Sequence, residues 1–148
     1  MDRRNMLGVL GAGAASLVAL GGTGHAQQHE HRGHSEILDD CRNLCGRAAD
    51  HCLEELRKGT EQREAYARAH ELTRDCQQFC SLSADLTSRG SPVAHHAHAA
   101  CAEVCRACAE SCEKIAGDKI LQDCARACRT AEEHCRKMGR AGGHASAA

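Results

Sequence analysis

Twelve cysteines in 148 residues dominate the chemistry available to this chain, and their spacing repeats. Cys41, Cys45, Ala48 and Cys52 follow one another by steps of four, three and four. Cys101, Cys105, Cys108 and Cys112 take the same steps, as do Cys124, Cys128, Ala131 and Cys135. A weaker copy runs through Ala69, Thr73, Cys76, Cys80, Ser83 and Thr87. Such steps return a side chain to one face of an α-helix. Three helices would therefore carry their thiols over about 16 Å, at roughly 1.5 Å per residue. A stripe of thiols can form disulfides, do redox chemistry or bind soft metal ions.

The helices that must carry these stripes are punctuated in the sequence. Ser35 is placed to cap a first helix that runs to about Lys58, with Gly59 as its stop. Thr60 opens a second helix to about Arg89, and Gly90-Ser91-Pro92 supplies a terminator, a cap and a first-turn proline. The third helix reaches Ala116, Gly117 ends it, and Asp118 caps a fourth that closes near Met138. Links this short force antiparallel neighbours. The expected fold is all-α, an antiparallel up-down-up-down four-helix bundle with a cysteine-lined core. One Phe, one Tyr and no Trp leave cysteine and alanine to fill its interior. The bundle spans residues 35–138, between a disordered His-rich lead-in at 27–34 and a disordered tail at 139–148.

Residues 1–26 read as an address. Arg3 and Arg4 precede an apolar stretch from Met6 to Leu20, and Gly24-His25-Ala26 offers small residues where a signal peptidase needs them. This resembles a twin-arginine signal peptide, so the chain is expected to be exported to the periplasm or cell envelope. Cleavage after Ala26 leaves no stable membrane insertion; the alternative is a short anchor left in place. A net charge of −1 gives no case for a nucleic-acid partner.

Disulfides are the plain reading for an exported protein. Within one helix, though, residues four apart have Cβ atoms about 5–6 Å apart, and a disulfide wants about 3.5–4.5 Å. Cys-x3-Cys pairs therefore do not readily close on themselves, which leaves cross-helix bridges. Zinc asks for four thiolates and leaves each site with two negative charges, and few basic residues lie on the inner face to offset them. Monovalent copper escapes that cost, because one Cu(I) per thiolate is neutral. It is soft, prefers sulfur and accepts two ligands. Charge counting sets a ceiling of about one Cu(I) per cysteine. Iron–sulfur clusters need four converging thiolates and do not explain a row along a bundle.

With Cys101-x3-Cys105-x2-Cys108-x3-Cys112 as its most specific motif, the cysteine-lined bundle behind a twin-arginine leader resembles the bacterial copper storage protein family. The resemblance covers about residues 35–138. It implies Cu(I) held by pairs of core thiolates, here Cys41, Cys45, Cys52, Cys76, Cys80, Cys101, Cys105, Cys108, Cys112, Cys124, Cys128 and Cys135. It also implies a homotetramer of bundles that holds copper for copper-enzyme recipients. Exported family members place methionines and a histidine at the open end of the core, and beyond the leader this chain has only Met138.

The two ends of the core differ by sequence. Extending the cysteine step past the start of the first helix gives Leu38 and His34, with His98 on the third helix and Met138 on the fourth. At the opposite end the extension gives Leu56, Tyr66, Ile115 and Leu121, an apolar plug. Copper is expected to pass His34, His98 and Met138, which join the cysteines as candidate ligands. His95, His96 and His134 lie at that end but off the inner phase, while His51 and His70 are expected on the surface. His29, His31 and His144 fall in the loose ends, and Tyr66 and Phe79 read as packing residues. No nucleophile–base constellation or phosphate-binding loop is evident, so no enzyme is expected. Metallothionein-like detoxification of copper or other soft metals and a disulfide-braced helical scaffold are the alternatives.

Overall fold

The computed structural model describes the backbone over residues 24–143 and side chains over 35–141. Four helices make up the described chain: α1 (Gly24–Lys58), α2 (Arg63–Ser88), α3 (Ala94–Glu113) and α4 (Lys119–Gly143). Each turn between them carries a glycine at positive φ: Gly59 at 81°, Gly90 at 62° and Gly117 at 88°. That region is disfavoured for any residue with a Cβ, and it lets the chain reverse just past a helix end. Asp118 caps α4 as expected, its Oδ1 accepting the Ile120 and Leu121 amides at 3.1 and 3.2 Å.

The helices pack as a ring in chain order, α1 on α2, α2 on α3, α3 on α4 and α4 on α1. Their pairings run antiparallel: Cys41 meets Cys128 and Cys45 meets Cys124, while Cys76 meets Cys105 and Cys80 meets Cys101. On the outside, Arg129 reaches from α4 to Glu113 on α3 through two bonds of 2.9 and 2.8 Å.

Several helix boundaries differ from the sequence reading. α1 begins at Gly24, so residues 27–34 are helix rather than a disordered lead-in. Nothing in that stretch is proline or β-branched, and Ser35 donates its hydroxyl to Asp39 at 3.2 Å instead of capping. α4 continues past Met138 to Gly143, since Gly139 serves as a contact rather than a stop. A Cβ there would lie 3.3 Å from the Ala99 backbone, so any larger residue would push α4 and α3 apart by a few tenths of an ångström. Thr60 and Ser91 lie ahead of their helices; the Thr60 hydroxyl accepts the Gln62 amide, and the Ser91 carbonyl accepts the Ala94 amide. The sequence-expected signal peptide falls chiefly on residues 1–23, outside the described residues, as do residues 144–148 and the side chain of His34.

Candidate metal centre

All twelve cysteines are free thiols with 0% of their surface exposed. The small residues sharing their register, Ala48, Ala69, Thr73, Ser83 and Ala131, are equally buried. The cysteine step therefore marks the bundle axis on every helix. Burying a row of thiols is tolerable because free cysteine behaves as a small hydrophobe.

Neighbouring sulfurs stand 3.5–4.0 Å apart along this axis. Cys76 and Cys105 are closest at 3.5 Å, and Cys45 lies 3.6 Å from Cys128. Helices that are diagonal in the ring meet through sulfur, with Cys76 of α2 at 3.8 Å from Cys128 of α4. Three groups of four thiols gather their sulfurs within 4.8 Å of one another: Cys41–Cys76–Cys80–Cys105, Cys41–Cys45–Cys76–Cys128 and Cys45–Cys108–Cys124–Cys128. The middle group borrows Cys41 and Cys76 from the first and Cys45 and Cys128 from the third. The sulfurs thus form a connected column, with Cys101 joined to it through Cys80 and Cys105 at 3.8 Å each.

Proton sharing sets the charge of that column. Hydrogen bonds from neighbouring thiols, Cys105 foremost for Cys41, Cys76 and Cys101, and Cys108 for Cys124, hold these four well below a normal thiol. They fall one on each helix. Their donors pay the converse: Cys105 and Cys80 are raised chiefly by Cys101, and Cys45, Cys112 and Cys128 chiefly by Cys108. Burial, with the Asp118 carboxylate second, pushes Cys52 up to about 12.

The ends of the column differ as their sequences do. Leu38 and His98 are buried at one end, where Met138 is half-buried. The Thr87 hydroxyl donates to the Ser83 carbonyl at 2.8 Å and so can only accept from His98 Nε2, also at 2.8 Å. That bond places the His98 proton on Nε2 and the ring lone pair on Nδ1. Burial lowers the His98 pKa, favouring the neutral ring that a metal needs. At the opposite end Tyr66, Ile115 and Leu121 are buried, and Leu56 is half-buried.

Two histidines, His51 and His70, depart from the surface placement expected of them. His51 is half-buried at the plugged end, its Nε2 2.6 Å from Asp118 Oδ2, and the Tyr66 hydroxyl donates to the same oxygen at 2.9 Å. Tyr66 is therefore a polar link as well as packing. His70 Nδ1 donates to the Ala49 carbonyl at 3.0 Å. His134 is half-buried beside the first end, and burial lowers its pKa as well. The signal for the His51 contact was present in Asp118, a capping residue whose second oxygen remained to be matched.

A family model described as copper storage protein matches residues 26–140. Among solved structures, the Cu(I)-bound copper storage protein BsCsp3 is 30% identical, over 73% of this chain and 96% of that one, with a TM-score of 0.64. The apo copper storage protein 3 from Bacillus subtilis is 32% identical over 72% and 95%, with a TM-score of 0.62. The Nmul_A1745 protein from Nitrosospira multiformis is 30% identical over 72% and 97%, with a TM-score of 0.51. No curated protein sequence matches.

Proposed function

Because the chain belongs to the copper storage protein family, we propose that its sulfur column is a store that fills with Cu(I) to about one ion per cysteine. The observation that carries this reading is the burial of all twelve thiols, with nine of their sulfurs joined in one column. Each Cu(I) replaces one thiol proton, so filling adds no net charge to an interior without lysine or arginine among its described buried residues. Shared sulfurs let successive ions bridge along the axis. His98 Nδ1 and Met138 supply soft or borderline donors where ions enter, and His34 is the third donor by its register. The plug at the other end leaves ions one way in and out.

The store acts without catalysis, because a column of equivalent ligands offers no single reacting centre. Export through the twin-arginine leader places it in the periplasm or cell envelope, where it holds copper for copper enzymes and assembles as a homotetramer. Support for export is the Arg3-Arg4 leader with its small-residue cleavage site. Support for the tetramer is the family resemblance.

An anaerobic Cu(I) titration of the reduced protein against a competing chromophoric ligand tests the store. Uptake approaching one ion per cysteine is expected; saturation at one to three ions would overturn it. Cell fractionation of the native chain beside an Arg3→Lys, Arg4→Lys variant tests export, and retention of only the variant in the cytoplasm is expected.

A further inference from the structure

The sulfur spacing suits a second class of ion. Four thiolates at about 2.3 Å around a tetrahedral zinc stand about 3.8 Å from one another, by the geometry of a tetrahedron. Three of the six sulfur pairs in each of two groups already stand near that spacing, and the rest lie within 4.8 Å. In the group at the open half, Cys41–Cys76 is 3.8 Å, Cys76–Cys105 3.5 Å and Cys80–Cys105 4.0 Å. In the group at the plugged half, Cys45–Cys124 is 3.7 Å, Cys45–Cys128 3.6 Å and Cys124–Cys128 4.0 Å. These two groups have no cysteine in common.

We propose that the core binds two thiophilic divalent d10 ions, Zn2+ or Cd2+, one in each of these two non-overlapping tetrathiolate sites. The inference rests on the reading above that the core thiols are reduced and open to metal. The third group shares all four of its sulfurs with the outer two, so it adds a site only if every one of them bridges. The remaining cysteines, Cys52, Cys101, Cys112 and Cys135, belong to none of the three groups, so capacity stops at two.

Each divalent ion displaces four thiol protons and no electrons move. The product is a metal tetrathiolate with two negative charges. Among the described buried residues the other polar groups are Thr73, Ser83, His98 and Ser111, and none is a lysine or arginine. Nothing inside neutralises that charge, which costs desolvation energy. Cu(I), which fills the same sulfurs without net charge, therefore displaces the divalent ions. The preformed sulfur geometry favours divalent ions in the empty protein, and charge favours copper once it arrives.

The test is an anaerobic Cd2+ titration of the reduced full chain, followed by thiolate-to-metal charge-transfer absorption and repeated with Co2+ for its visible tetrahedral spectrum. Saturation at two ions per chain is expected. Cys80→Ser and Cys108→Ser should each leave one ion, whereas Cys52→Ser and Cys135→Ser should leave two. Adding Cu(I) should release both ions to a chelator. Saturation at three or more ions, or equal losses in all four variants, would overturn the proposal. Failure to bind Cd2+ in a sample that then takes up about one Cu(I) per cysteine overturns it while the copper store stands. Failure with both ions removes the reading beneath it.

Discussion

The two ends of the bundle receive the same four helices and are finished with different side chains. Where α2 ends and α3 begins, the register beyond the last thiols is occupied by His98, backed by Thr87 and Ser83, with Met138 half-exposed nearby. Where α2 and α4 begin, the same register is occupied by Tyr66, Ile115 and Leu121. There Asp118 gathers His51 of α1, Tyr66 of α2 and the first amides of α4. The helical repeat thus sets where a column of ligands runs. One further residue on each helix decides which side chains close each end of the column.

The largest effect should come from breaking the closed end. Leu121→Ala removes a fully buried side chain from the plug and should cost the apo protein about 2–5 kcal/mol in chemical denaturation. If the plug also blocks traffic, the variant should lose stored copper faster to an external chelator. Asp118→Asn keeps a capable cap but removes the charge between His51 and Tyr66. It should cost about 1–3 kcal/mol by the same measurement and leave Cu(I) capacity unchanged.

At the histidine end the effects should be kinetic. Thr87→Val deletes the acceptor that fixes the His98 tautomer, and stopped-flow Cu(I) uptake should slow by about tenfold, the equivalent of about 1.4 kcal/mol. Final capacity should not change, and Thr87→Ser should restore the rate. An unchanged rate in Thr87→Val would show that His98 does not meet the incoming ion.

Acid should separate the ends by a smaller margin. Burial holds the His98 and His134 pKa values below the unfolded value near 6.5. The unfolded chain therefore binds more protons in that window, and stability is complete above about pH 6.5 and falls as pH drops through the folded values. The apo melting temperature should decline between pH 7 and 5, and His98→Gln should flatten part of that decline.

Much of the axis was legible in the sequence because a helix converts spacing into direction. The four-three-four step put each cysteine on the inner face, Gly59, Gly90 and Gly117 marked the turns, and Asp118 announced its own cap. The start of α1 was not legible, since Ser35 has the chemistry of a cap and nothing upstream of it forbids helix. His51 and His70 were misjudged because phase describes where a Cβ points, whereas an imidazole reaches sideways to a neighbouring element. The sharing of sulfurs among groups of four was equally hidden. It depends on how helices are offset along their length, which no single helix records.

Gly139 and Ala99 give the histidine end one more property. Here α4 lies against the main chain of α3, so the contact is backbone against backbone. A side-chain contact can yield by changing rotamer, whereas a backbone contact yields only if the helices move. One methyl added at Gly139 would act as a small wedge, asking α3 and α4 to part by a few tenths of an ångström.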